Sequence, residues 1–145
     1  MIYKEHYRDF IGTLEVKLEE LSHEIKAWGD KFETMEEIEY GDDYEYNSVC
    51  KESRVLKRIK KYFDNANRWA NFENLETLKA YTDTINRTHD ALTAYSNAVM
   101  PVDGGDLVGI TQNEWDSLEK LRYKMSQRHQ AWKCFLYFCE NGTIQ

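Results

Sequence analysis

Three carboxylates, Asp42, Asp43 and Glu45, alternate with three tyrosines, Tyr40, Tyr44 and Tyr46, in a stretch with no basic residue. Clustered acids can engage a basic groove and speed association. Tyrosine adds the rigid, amphipathic contact area that interfaces favour. That combination suits a docking surface for a partner that normally grips phosphates. Other groups point to less chemistry. His6, His23 and His89 have no second ligand at zinc spacing. Cys50, Cys134 and Cys139 form no C-x-x-C pair and suit a reduced compartment. No phosphate-binding loop, nucleophile elbow or dinucleotide fingerprint occurs. We therefore expect no metal and no cofactor.

Two further spacings resemble known motifs. Asp103–Glu114 has Asp at position 1, Ile at 8 and Glu at 12, which resembles the EF-hand calcium loop. Gly105, Leu107 and Val108 stand at positions 3, 5 and 6, removing two oxygen ligands and the turn glycine. Arg122 and His129, seven apart, share one helix face. The pair resembles the Arg-x(4–6)-His motif of HEPN ribonucleases, which are also small helical bundles. In that family the residue after Arg is commonly polar, and here it is Tyr123. The resemblance implies acid–base catalysis by His129 and phosphate-charge stabilisation by Arg122. The competing reading makes His129 a packing residue beside Trp132 and Met125.

Charge is unevenly spread. The chain has 145 residues and net charge −7, and Glu33–Tyr46 alone contains seven acids and no base. The rest is balanced, with 19 acids and 19 bases. Lys51–Lys61 follows with six bases and one acid, and Lys51, Arg54, Arg58 and Lys61 recur on one helical face. Two readings compete for this basic run. It can pair across a hairpin with Glu33, Glu36 and Glu37, or it can bind nucleic acid directly, which the acidic total disfavours.

The elements that must position these groups are helical throughout. Tyr7, Ile11, Leu14, Leu18, Leu21, Ile25, Trp28, Phe32 and Met35 follow a 4-3 spacing, predicting a helix over 3–39 that Gly29 can kink. A second helix is expected from Asn47 or Ser48, with Val55, Ile59, Tyr62, Ala66 and Trp69 inward. After a turn at 70–74, the third has Leu78, Tyr81, Ile85, Thr88, Leu92, Tyr95 and Val99 on its face, and Pro101 stops it. After the 101–109 linker, Thr111 and Glu114 form a capping box. The fourth face is Trp115, Leu118, Leu121, Met125, Trp132, Phe135 and Cys139, with Gly142 closing the helix.

The expected fold is thus all-α: one domain over 1–145, a four-helix up-down-up-down bundle with a long first helix. That topology brings Asp103 and Asp106 beside Asp42–Tyr46. Neither a signal peptide nor a membrane span is expected, and the setting is cytoplasmic, the host cytoplasm if phage-encoded. In size and composition the chain resembles small acidic, phage-style counter-defence inhibitors, anti-CRISPR-like proteins included. The expected function is non-enzymatic binding to a protein with a basic surface, most concretely a nuclease or other nucleic-acid-binding enzyme. The alternatives are a ribonuclease using Arg122 and His129, and a structural protein that oligomerises through its first helix.

Overall fold

The computed structural model describes residues 2–31, 44–100, 107 and 109–144. Among them are four helices and no strand: α1 (Ile2–Lys31), α2 (Tyr44–Ala66), α3 (Leu75–Val99) and α4 (Gln112–Asn141). α1 is helical through both Gly12 and Gly29. Its expected continuation to residue 39 lies outside the described residues.

Local signals explain the well-marked ends. Asn74 caps α3, its side chain accepting from the Thr77 backbone N–H at 2.9 Å. Met100, held extended before Pro101, closes that helix at φ −70° and ψ 130°. For α4 the expected capping box is present. The Glu114 N–H donates to Thr111 Oγ1 at 3.2 Å, and the Thr111 N–H donates to Glu114 Oε1 at 3.1 Å. Gly142, left-handed at φ 74°, donates its N–H to the Phe138 carbonyl at 2.7 Å.

The helices associate as two antiparallel pairs. Phe10 meets Phe63, Glu15 meets Lys60 and Trp28 meets Tyr46, so advancing along α1 means retreating along α2. In the second pair, Lys79 meets Glu140, Tyr81 meets Trp132 and Ser96 meets Glu119. The α3–α4 contact is the most extensive, followed by α1–α2, and both α1 and α2 also touch α4. The pairs join around an aromatic layer on the C-terminal half of α4. Phe10, Phe63, Trp132 and Phe135 are fully buried there. Phe10 lies 5.3 Å from Phe63, 5.0 Å from Phe135 and 5.6 Å from Phe138, ring centre to ring centre. These tilted and edge-on contacts suit aromatic quadrupoles. Trp132 donates its indole N–H to the Tyr62 hydroxyl at 2.8 Å. Tyr7 donates its O–H to the Phe63 carbonyl near the end of α2, at 3.0 Å.

Several inward assignments shift. Phe10, absent from the expected seam of α1, is a centre of the core. Trp69 lies in the turn beyond α2 and is 53% exposed. On α3, Thr88 is exposed and Tyr95 is 50% exposed. Thr82 and Ser96 are buried instead. Thr82 tolerates burial because its hydroxyl donates to the Leu78 carbonyl one turn earlier, at 2.8 Å. On α4, Leu121 is exposed, while Ala131 and Phe138 complete the core.

Candidate interaction surfaces

Of the acidic surface expected from sequence, Tyr40, Asp42, Asp43, Asp103 and Asp106 lie outside the described residues. Tyr44, Glu45 and Tyr46 are the opening turn of α2, so the helix starts three residues before Asn47. This corrects the expected loop. An acid in a first helical turn is favoured by the helix dipole. The Tyr46 ring also packs on Trp28 at 6.4 Å, tying that turn to α1. A hydrogen bond with the Cys50 thiol one turn on, and that group's charge, raise the Tyr46 pKa above the usual phenol value.

On α2, Lys51, Arg54, Lys57 and Lys61 are exposed. Lys60 reaches Glu15 of α1 at 3.3 Å, and Arg58 donates to Gln130 Oε1 of α4 at 3.1 Å. The antiparallel register puts Arg54 and Lys57 level with about residues 17–20 of α1. Among the described residues, the α1 acid that meets the basic run is Glu15, through Lys60. The expected partners Glu33, Glu36 and Glu37 lie outside the described residues.

The four-base face of α2 divides. Lys51 and Arg58 border clefts shared with α4, whereas Arg54 and Lys61 lie further round the helix and line neither cleft. Across the clefts stand Lys124, Arg128 and Lys133 of α4. The sequence reading missed these three bases. The available signal was the i, i+4 pair Lys124–Arg128 one turn before Ala131, a small residue where another helix can approach.

Arg122 and His129 are on α4, as their spacing requires, but different neighbours occupy them. Arg122 donates to Glu119 Oε2 at 3.0 Å and to the buried Ser96 hydroxyl at 3.3 Å. Ser96 donates in turn to Glu119 Oε1 at 2.9 Å. This triad directs the guanidinium toward the N-terminal side of α4, while His129 stands roughly 10 Å further along the helix axis. A cleft beside Arg122 and Glu119 is bordered by His89, Thr93 and Tyr123 among others. The Thr93 hydroxyl oxygen is buried without a hydrogen-bond partner. Burial lowers the His129 pKa, helped by the positive charges of Lys133 and His89 and opposed by Asp90. Arg122 and His129 therefore sit in separate surroundings about two turns apart, the arginine paired with Glu119 and the imidazole held below its usual pKa by burial.

Burial pushes the thiols of Cys134 and Cys139 up to about 11, so both stay protonated near neutrality. Among the described residues, no group of three or more His, Cys, Asp or Glu is placed to hold a metal ion. No described helix is long and apolar enough to cross a membrane. Comparison of the chain with protein-family models, curated proteins and solved structures returns no match.

Proposed function

We propose that this chain is a non-catalytic, cytoplasmic helical protein that binds a macromolecular partner through its acidic, tyrosine-rich end. In its most concrete form it is a stoichiometric inhibitor of a nucleic-acid-binding enzyme. The observation that carries this reading is the charge distribution: the whole excess of −7 falls in Glu33–Tyr46. Such a field attracts a basic, phosphate-gripping surface across about a Debye length. The packing of Tyr46 on Trp28 supports it by anchoring the edge of this segment to α1. In an up-down-up-down arrangement, Asp103 and Asp106 add to the same end.

The test replaces Asp42→Asn, Asp43→Asn and Glu45→Gln together. Immobilised wild type should retain a lysate protein that the triple variant retains at least tenfold more weakly, with less salt dependence. Equal retention and equal salt dependence would remove this segment from the interface. The ribonuclease alternative draws no support from the Arg122 geometry, because Glu119 already neutralises that cation.

A further inference from the structure

The groove between α2 and α4 has a charge opposite to that of the acidic end. Val55, Leu56, Ile59 and Ala131 contribute apolar surface, and two clefts of about 430 Å³ and 250 Å³ meet at Ile59. Lys51, Arg58, Lys124, Arg128 and Lys133 line these clefts, and Glu52 is the one acid among the lining residues. The four cations other than Arg58 are exposed. From Lys51 to Asn65 the α2 wall rises roughly 21 Å. That length accommodates a short run of strand phosphates lying between the two cationic walls.

Trp69 adds a different kind of feature at the Asn65 end. It is 53% exposed, and its ring lies 6.0 Å from Trp132. Trp132 is hydrogen-bonded to Tyr62, a residue of the groove wall. A cationic track on α2 and α4, together with an exposed, braced indole in the turn that follows α2, supplies the two elements of sequence-tolerant single-strand binding. The acidity of the whole chain does not oppose this locally, because outside Glu33–Tyr46 acids and bases balance.

We propose that the α2–α4 groove binds a single-stranded nucleic acid, with phosphates along the five cations and a base stacked on Trp69. An acidic peptide would satisfy the cations but would have no use for the indole. The proposal does not depend on the acidic end being a docking surface.

Fluorescence anisotropy of the full chain with labelled U12, dU12 and a 12-base-pair duplex tests it over 25–200 mM salt. Both single strands should bind, with a log–log salt slope of about −3.5 for five phosphate contacts. A preference for U12 would indicate readout of the 2′-hydroxyl and name RNA as the source. The variant Lys124→Gln, Arg128→Gln, Lys133→Gln should weaken binding about tenfold or more at 50 mM salt. Its slope should be shallower by about 2. The equally charged control Arg54→Gln, Lys57→Gln, Lys61→Gln should stay within about threefold of wild type, since those side chains lie off the groove. Trp69→Leu should cost about fivefold with an unchanged slope, and Trp69→Phe should restore most of the loss. Circular dichroism checks that each variant folds.

The proposal is overturned if neither strand binds, if duplex binds as tightly as single strand, or if the control weakens binding as much as the groove variant. It is also overturned if poly-L-glutamate displaces the strand and binding ignores Trp69, which would assign the groove to an acidic protein segment. Substituting Asp42, Asp43 and Glu45 should leave oligonucleotide affinity intact or raised, so failure of one surface is distinguishable from failure of the other.

Discussion

Replacing Glu119 by Ala tests whether the polar seam between α3 and α4 is structural. In the native protein this carboxylate accepts from the Ser96 hydroxyl at 2.9 Å and from Arg122 at 3.0 Å. Hydrogen bonds to charged groups contribute about 1.5–3 kcal/mol each when well protected. The Arg122 and Glu119 side chains are 30% and 33% exposed, so solvent screening brings each bond nearer to about 1 kcal/mol. Truncation breaks both bonds and leaves the fully buried Ser96 without its acceptor, which gives a cost of about 2 kcal/mol. With an m-value near 2 kcal/mol per molar, the urea midpoint should fall by about 1 M. Asp83→Ala is the control. It removes a more exposed pair with Arg87 and should move the midpoint by about 0.3 M or less. A Ser96→Ala, Arg122→Ala double-mutant cycle should show a coupling of about 0.5–1.5 kcal/mol. The reasoning fails if Glu119→Ala behaves like the control. It fails equally if Arg122→Ala leaves stability unchanged while abolishing an RNA-cleaving activity, because Arg122 would then serve chemistry rather than packing.

Two other outcomes follow from the structure. Phe10→Ala should cost about 3–5 kcal/mol by calorimetry or urea titration, because the ring is fully buried among three other phenylalanines, whereas Val16→Ala, at 57% exposure, should cost under about 0.5 kcal/mol. Stability should fall as pH drops below about 6.5: the unfolded His129 takes up a proton there, while burial keeps the folded imidazole neutral to lower pH. The loss levels off below the folded pKa, and a His129→Gln variant that retained the full slope would show that the dependence arises elsewhere.

The helical class, the Thr111 cap, the Gly142 stop and the Pro101 boundary were legible because each has a local cause within a few residues. Burial was less so. Phe10 sits one position before Ile11 of the 4-3 seam, and its importance comes from Phe63, Phe135 and Phe138, which are remote in sequence. On α3, the 3-4 spacing runs through Thr88 and Tyr95, which are exposed. The buried residues of α3 include Thr82 and Ser96, whose polarity is matched by the Leu78 carbonyl of α3 itself and by Glu119 of α4. Hydrophobic pattern alone does not register polar residues in a core, and the partners of Ser96 lie on another helix. The α2–α4 groove was half visible for the same reason. Lys51 and Arg58 stand out in a basic run, but Lys124, Arg128 and Lys133 gain meaning only when the two helix pairs meet. The early start of α2 was hidden by Asn47 and Ser48, good capping residues that occupy interior helical positions here.

Trp132 links the integrity of one side chain's surroundings to the whole assembly. Each pair is made of helices that are consecutive along the chain, so pairing them closes a smaller loop than docking one pair on the other. The indole is where they converge: it touches Tyr62 and Phe63 of α2, Trp69 and Phe72 of the following turn, and Tyr81 of α3. Full enclosure of that side chain therefore requires both hairpins to be present and mutually docked. In a variant in which Trp28, Trp69 and Trp115 are replaced by Phe, its emission would report the docking of the two hairpins.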